Sequence, residues 1–324
     1  MPALAGELLA RCCFAAGSID AAVSGGVDSL ALLVLAVATG RPVTAFHVDH
    51  GLRPGSAAEA EQVAAAAAAL GAGFRALSVT VDPGPNLEAR ARAARRAVLP
   101  PGVATGHTAD DQAETVLLNL IRGAGLTGLA GMRAGPRHPI LALRRAETER
   151  LCAEAGLEPL RDPSNADGRF RRNRVRHEVL PLLEAVAERD VAGVVARQAG
   201  LLGEDEDLLE SLAAAVDPTS VGALAGAPAP LARRALRRWL ASDEGYPPSA
   251  AAIERVMAVV RLETSAAEIE GGVMVSRSAG RLRLQPPPSR QASLRPPDPA
   301  APPGPPGRLA PPSRQASPDS LGRP

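Results

Sequence analysis

Short apolar runs alternate with amphipathic helical patterns from residue 19 to residue 121, and this alternation restricts the fold more than any other feature. The runs predict strands at 19–23, 43–47, 74–81 and 102–105, and helices at 30–38, 57–70, 87–99 and 109–121. Parallel strands need a crossover helix between them, so the alternation predicts a parallel sheet with helices on both faces. Ligands of such doubly wound α/β sheets bind in the loops after the strands.

The pattern changes after about residue 178. Helices are predicted at 181–212, 230–240 and 250–260, and a small hairpin at 269–284. We therefore expect a catalytic domain at 1–184 and a second, smaller, mainly helical domain at 185–285. Residues 286–324 are rich in Pro, Ala, Ser and Arg, and are expected to be a disordered tail because they have little apolar surface to bury.

Composition excludes several classes of protein. The 324 residues are 46% hydrophobic, enough to build two cores, and the formal net charge of +1 gives no global signal for nucleic acid. The three cysteines form no Cys-x-x-Cys pair, which argues against a zinc or iron–sulfur site and suits a reducing compartment. A signal peptide and a run long enough to span a bilayer are both absent from the sequence, so a cytoplasmic location without membrane contact is expected.

A glycine-rich loop joins the first predicted strand to the first predicted helix. It comprises Ser24, Gly25, Gly26, Val27, Asp28 and Ser29. Its glycines allow a sharp turn, and its amides, hydroxyls and helix N-terminus suit a phosphate. Asp28 would repel that phosphate unless a cation lay between them, which predicts Mg²⁺ there. A plain turn with an acidic first helical residue is the alternative.

A second polar cluster begins the helix predicted at 109–121. His107, Asp111 and Glu114 are spaced to share one helix face, where two carboxylates could hold the ammonium groups of an amino acid. The alternative is a capping box formed by residues 108–111. His47 and His50 end a predicted strand and could line a nucleotide site, or could be ordinary loop histidines.

Two arginine-rich segments could contact RNA. The first, at 161–176, contains Arg161, Arg169, Arg171, Arg172, Arg174 and Arg176, and the second places Arg233, Arg234, Arg237 and Arg238 on one helix face. Guanidinium groups suit phosphate contacts, although a solvated helix face explains either segment equally well.

The loop at 24–29 resembles the SGGxDS fingerprint of the ATP-pyrophosphatase (PP-loop) superfamily. Members cleave ATP to AMP and pyrophosphate while adenylating a substrate, on an adenine nucleotide alpha hydrolase-like fold. Four further segments resemble the lysidine synthases within it, at 47–60, 86–95, 106–132 and 161–181. The resemblance is close over 19–183 and weaker to about 284. Leu160 and Arg96 depart from it, since Trp and Tyr are frequent at these positions.

The resemblance implies a reaction and its partners. ATP would adenylate the wobble cytidine of an isoleucine tRNA with a CAU anticodon, and free L-lysine would then displace AMP to form lysidine. This change moves codon specificity from AUG to AUA. ATP and Mg²⁺ are the implied cofactors, and a homodimer is compatible with the sequence.

The resemblance also implies roles for individual residues. ATP binding falls to Ser24, Gly25, Gly26, Val27, Asp28, Ser29, His47, Gly106 and His107. Catalysis falls to Asp28, Asp111, Glu114 and Arg122, where Arg122 would stabilise phosphate charge. Mg²⁺ falls to Asp28 and Asp110, and tRNA to Arg161, Asn165, Arg172, Asn173 and Arg176. Which of Asp110, Asp111 and Glu114 binds lysine and which binds magnesium stays open at this point.

Three other functions compete with lysidine synthesis. A tRNA cytidine thiolase would be expected to carry Cys-x-x-Cys pairs, which this sequence lacks. An amide synthetase for NAD or GMP would need no tRNA. A non-catalytic nucleotide- or RNA-binding module would not need both the loop at 24–29 and the acidic segment at 110–115 intact.

Overall fold

A computed structural model describes residues 2–49, 56–80, 87–160, 167–241 and 248–285. Four parallel strands form a sheet in the order β3-β2-β1-β4. They are β1 (Ile19–Ala22), β2 (Val43–Asp49), β3 (Gly73–Ser78) and β4 (Ala104–Thr105). The predicted parallel α/β sheet is therefore confirmed. The expected disordered tail, at 286–324, lies outside the described residues.

Helices connect and flank these strands. They are α1 (Ala3–Leu9), α2 (Val27–Ala38), α3 (Ser56–Ala69), α4 (Leu87–Val98), α5 (Ala109–Ile121), α6 (Leu126–Leu129) and α7 (Arg145–Glu154). Helix α2 forms the centre of the core, where Leu32, Leu33 and Leu35 are fully buried. Because α2 packs on β1, β2, α1 and α7, it is apolar on nearly every side. This burial holds its N-terminus, and the loop before it, in one place.

A helical region follows the sheet. It contains α8 (Arg171–Arg174), a π-helical turn (Val175–Val179), α9 (Leu180–Ala187), α10 (Val191–Ala214), α11 (Val221–Gly226) and α12 (Ala229–Leu240). The single helix predicted at 181–212 is two helices, because Glu188 takes a left-handed conformation, with φ of 50°, and ends α9.

The chain divides into two compact units, Met1–Pro247 and Pro248–Pro324. Helix α10 packs along α5 and α6 within the first unit, so the division into compact units lies C-terminal to the boundary expected after residue 184, which stays a prediction. The described part of the second unit holds α13 (Ala250–Val260) and an antiparallel sheet of β5 (Ala266–Glu268), β6 (Met274–Ser278) and β7 (Arg281–Gln285). The range predicted as the second domain, 185–285, is mainly helical in its described part, with three short strands at its end. Among the described helices, none is both long enough and apolar enough to cross a membrane.

A buried ion pair ties α10 to α12. Arg234 donates from Nη1 and Nη2 to the two carboxylate oxygens of Glu206, at 2.8 and 2.6 Å, and Thr127 Oγ1 donates to Glu206 at 2.7 Å. These hydrogen bonds from Arg234 hold the pKa of Glu206 below the ordinary glutamate value of 4.5. The pair therefore stabilises the folded state above pH 4.5, and this contribution is lost as pH falls below it.

We expect Glu206→Gln to lower the free energy of unfolding by about 1–3 kcal/mol at pH 7, since it leaves a buried guanidinium without its charged partner. The difference from the parent should shrink as pH falls from 4.5, where Glu206 of the unfolded chain is protonated, through the lowered pKa of Glu206 in the folded state. Chemical denaturation at pH 7 and pH 4 measures both effects. Glu210→Gln is the matched control, because Glu210 also accepts from Arg234 but its side chain is 43% exposed. An equal loss from both variants would contradict the prediction.

Candidate nucleotide and amine site

The glycine-rich loop lies at the carboxyl end of β1, as predicted, and closes on itself by hydrogen bonds. Ser29 Oγ donates to the carbonyl of Gly26 at 2.8 Å, and the amide of Ser24 donates to Ser29 Oγ at 3.2 Å. Gly26 is the N-cap of α2, so the first-turn amides of α2 have no acceptor within the helix. Helix α2 begins at Val27, three residues before the predicted start, which makes Asp28 and Ser29 part of its first turn. The loop therefore presents amides and a helix N-terminus suited to a phosphate group.

Two glycines allow the backbone around this loop to pack closely. Gly25 has φ of 86°, a left-handed conformation that favours glycine. Gly106, directly after β4, touches the loop: a Cβ there would lie 2.6 Å from the carbonyl oxygen of Asp28 and 2.9 Å from the amide of Ser29. The segments after β1 and β4 are therefore in backbone contact, which brings the loop and the start of α5 together.

We expect Gly106→Ala to destabilise the fold by about 1–3 kcal/mol, because an added methyl group meets rigid backbone and forces it to move. Thermal unfolding should show the loss, and ATP binding should weaken with it. Gly200→Ala is the control, since a Cβ on Gly200, within α10, meets nothing within 4 Å. A Gly106→Ala variant as stable as the parent would show that the two backbones are not in contact.

The Asp28 side chain of this loop is held by two side chains of α7. Its Oδ2 accepts from Arg145 Nη2 at 2.5 Å, and its Oδ1 accepts from Thr148 Oγ1 at 2.6 Å. Burial raises the pKa of Asp28 even though Arg145 and Thr148 favour the ionised form. The same Arg145 Nη2 lies 4.0 Å from Asp111 Oδ1, so Arg145 links the loop to α5. Arg145 and Thr148 were not among the predicted site residues.

Asp28 and Asp110 differ in their fit to the predicted magnesium site. Mg²⁺ in nucleotide sites takes one or two carboxylates and completes its shell with phosphates and water. Asp28 is the better candidate, since it belongs to the phosphate loop and accepts one hydrogen bond on each oxygen, from Thr148 and Arg145. Asp110 is the poorer candidate, because Arg144 Nη2 and Nε donate to its two oxygens at 3.0 and 3.1 Å and the Arg145 amide also donates to it at 2.8 Å. The described residues contain no cluster of three or more potential metal ligands.

Asp111 and Glu114 face the same way on α5, as their spacing predicted. Asp111 Oδ2 accepts from the amide and the hydroxyl of Thr108, at 2.9 and 3.1 Å, so the capping box that the sequence also allowed is present. Burial would raise the pKa of Asp111, but Arg172, the Thr108 amide and Arg145 together hold it below the ordinary value. Because the cap uses Oδ2 of Asp111, the other oxygen, Oδ1, can accept from a cation.

Glu114 has no part in that cap and is the more deeply buried carboxylate. Its side chain is 1% exposed, and it accepts from Arg172 Nε at 2.6 Å and from Arg176 Nε at 2.5 Å. Arg172 Nη2 and Arg176 Nη2 also reach Asp111 Oδ1, at 2.8 and 3.4 Å. Two carboxylates and two guanidinium groups therefore form one compact, neutral cluster.

The two predicted nucleotide histidines lie near the carboxyl ends of β2 and β4, the strands on either side of β1. His47 is buried, and its Nδ1 donates to the Val23 carbonyl at 2.9 Å, which leaves Nε2 as the acceptor of that ring. His107 Nδ1 lies 2.8 Å from Thr105 Oγ1. His107 is also near enough to Asp111 to help lower the pKa of that carboxyl.

Other predicted residues are not brought to this point. Arg122 is exposed at the far end of α5, roughly 16 Å along the helix axis from Asp111. Asn173 is buried and donates to the Asp167 carbonyl at 2.9 Å. Arg234, from the proposed RNA-facing stripe on α12, is instead buried against Glu206. His50, Arg161 and Asn165 lie outside the described residues.

Comparisons with known proteins agree with this architecture. A PP-loop domain model matches residues 6–183, and a TilS substrate binding domain model matches residues 220–283. The tRNA(Ile)-lysidine synthase of Nocardia farcinica is 44% identical over 288 residues, which cover 83% of this chain and 89% of that protein. The enzyme of the same name from Mycolicibacterium paratuberculosis is 50% identical over 234 residues, 68% and 73% of the two chains.

The chain belongs to the tRNA(Ile)-lysidine synthase family. A solved structure, the U34-tRNA thiolase NcsA from Methanococcus maripaludis with its [4Fe-4S] cluster, is similar with a TM-score of 0.50 over 62% of this chain and 78% of that one. At 16% identity this likeness concerns the fold alone. It confirms the predicted PP-loop architecture, and the lysidine synthase relatives confirm the family that the sequence motifs indicated.

Proposed function

We propose that this chain ligates free L-lysine to the wobble cytidine of an isoleucine tRNA with a CAU anticodon, at the expense of ATP. Family membership supports the reaction, and one structural observation supports its location. Arg145 touches Asp28 of the phosphate loop and lies 4.0 Å from Asp111 of the acidic helix face. An ATP bound at the loop would therefore lie next to carboxylates that can hold an amine, in the cytoplasm where the tRNA is found.

The first step is adenylation of the tRNA. The base carbonyl oxygen of the cytidine attacks the α-phosphorus, and pyrophosphate leaves. The loop amides and the N-terminus of α2 would hold the phosphates, and Asp28 would hold Mg²⁺, which neutralises phosphate charge when bound. Arg145 is better placed than Arg122 to stabilise the charge that develops, because it is already beside the loop. Its Nε is buried without a hydrogen-bond partner among the described residues and would be satisfied by a phosphate oxygen.

The second step is attack by the lysine side-chain amine, with AMP as the leaving group. A lysine amine has a pKa of about 10.4 and must lose a proton before it attacks. Asp111 and Glu114 would hold the ammonium groups of lysine, and the lowered pKa of Asp111 keeps this carboxyl ionised for that purpose. A carboxylate beside the amine can also accept its proton.

Binding of tRNA would fall to the arginine-rich segment after α7. The side chains of Arg172 and Arg176 are 31% and 19% exposed, and their guanidinium groups lie beside the two carboxylates. Guanidinium groups bind phosphate bidentately, which suits an anticodon backbone near the amine site. Asn173 lies between them in sequence and donates to the Asp167 carbonyl. We therefore assign it a structural role, which is to hold the turn before the two arginines.

One assay tests the proposal. The full chain is incubated with ATP, Mg²⁺, labelled lysine and unmodified isoleucine tRNA, and the products are quantified. We expect one AMP and one pyrophosphate for each lysine retained on the tRNA, and no retention when the wobble base is not cytidine. Formation of ADP, or turnover that does not need lysine, would contradict the proposal.

A further inference from the structure

The acidic face assigned to lysine is already occupied by this chain's own cations. Glu114 accepts from the Nε atoms of Arg172 and Arg176, and Asp111 Oδ1 accepts from their Nη2 atoms. Two negative charges are therefore matched by two positive charges in a buried cluster. A lysine ammonium could enter only as an unmatched charge, which burial disfavours strongly, or by displacing a guanidinium group.

The arginines are the outer layer of this cluster. Arg172 and Arg176 are 31% and 19% exposed, whereas the side chains of Glu114 and Asp111 are 1% and 10% exposed. The arginine side chains are thus more accessible to solvent, and to an approaching polyanion, than the two carboxylates. Arg172 lies on the four-residue helix α8, and Arg176 lies on the π-helical turn that follows it. Such π-helical turns are rare and occur frequently at functional sites.

We propose that Arg172 and Arg176 form a cationic lock that excludes free lysine until tRNA binds. This inference rests on the proposed function. Phosphate groups of the tRNA compete for the two guanidinium groups and draw them from Asp111 and Glu114. The exposed carboxylates then accept the lysine ammonium groups in their place. Lysine and tRNA are consequently coupled, and each raises the affinity of the enzyme for the other by the same factor.

The lock prevents a wasteful reaction. Lysine admitted beside ATP without tRNA would offer its own carboxylate to the α-phosphorus. A carboxylate oxygen–phosphorus bond would form, the bond to the β-phosphate would break, and pyrophosphate would leave with no tRNA modified. Excluding lysine until the cytidine is in place removes this competitor for ATP.

Lysine binding to the full chain in the absence of tRNA tests the lock. Isothermal titration calorimetry compares the parent with Arg172→Gln and Arg176→Gln. We expect each variant to bind lysine at least tenfold more tightly than the parent, in the range of about 5- to 150-fold that is usual for coupled sites. The lysine affinity of the parent should rise by a similar factor when an anticodon stem-loop is added, whereas the lysine affinity of the variants should rise little. Arg174→Gln is the matched control, since Arg174 pairs only locally with Glu178 and is 61% exposed.

Arg172→Lys guards against a variant that fails to fold. It keeps the positive charge but loses the planar fork, so the lock should loosen and lysine affinity should rise less than in Arg172→Gln. The lock would be overturned if all three variants bound lysine no more tightly than the parent. It would also be overturned if adding the stem-loop did not change the lysine affinity of the parent. Lysine incorporation by the parent, measured in parallel, separates the two proposals: incorporation without any gain in the variants rejects the lock alone, and no incorporation rejects the proposed function.

Discussion

Replacing Asp28 by Asn should reduce lysidine formation by about 10²–10³-fold in kcat, the usual effect of removing one electrostatic contact from a reacting phosphate or oxyanion. Asp28 is the carboxylate of the phosphate loop and the one that we propose to hold Mg²⁺. Asn keeps the shape and can still accept from Thr148 Oγ1, so the geometry of the loop should persist. Steady-state assays with saturating ATP, lysine and tRNA measure the loss.

The same substitution should cost little stability. Burial raises the pKa of Asp28, so the folded state favours its protonated form and the ionised carboxyl lowers stability as pH rises through the ordinary value of 3.8. Asn removes this penalty at pH 7, although Arg145 then loses the charge of its nearest partner, while Asp111 stays at 4.0 Å. We expect these effects to offset, with a melting temperature within a few degrees of the parent.

Asp20→Asn is the control for this experiment, because Asp20 lies at the other end of β1 and is likewise half-buried. It should leave turnover unchanged. Near-normal turnover by Asp28→Asn would remove Asp28 from the phosphate site. A large fall in melting temperature with proportional loss of activity would show instead that Asp28 acts mainly as the structural partner of Arg145.

The order of strands and helices could be predicted because hydrophobic periodicity is a local property of the sequence. The start of α2 was missed for the same reason: Val27, Asp28 and Ser29 form its first turn, and polar residues there interrupt the apolar pattern. The packing of α10 on α5 could not be predicted, because it depends on contacts between distant parts of the chain.

The loop and the acidic helix face could likewise be predicted from short motifs, but their cationic partners could not. Arg145 follows Asp28 by 117 residues, and Arg172 follows Asp111 by 61. Nothing in the local sequence distinguishes these arginines from those that pair at the surface, such as Arg174. The resemblance implied Arg122, whereas α5 carries that residue to the end of the helix opposite Asp111.

Asp111 and Glu114 have different structural roles, so substitutions at the two positions test lysine recognition differently. Asp111 both caps α5 and faces the arginines, so Asp111→Asn should lose about 0.5–2 kcal/mol of stability from the cap alone. Glu114 makes no contribution to the cap, and its two oxygens face only the cluster. Glu114→Gln is therefore the cleaner variant.

We expect Glu114→Gln to raise the Michaelis constant for lysine by roughly 10- to 150-fold, which corresponds to the loss of one charge-assisted hydrogen bond worth about 1.5–3 kcal/mol. The measurement is made at saturating tRNA, so that the arginines are engaged by phosphate and do not compete. Adenylation of tRNA without lysine, measured as pyrophosphate release, should be reduced much less than the complete reaction, because adenylation does not use the lysine amine. Glu178→Gln, which removes the exposed partner of Arg174, is the control and should change neither half-reaction.

If both half-reactions of Glu114→Gln fall together, Glu114 supports the nucleotide site through Arg172 and does not hold lysine. If only stability falls, the buried carboxylate serves to neutralise the two arginines, and lysine is recognised elsewhere.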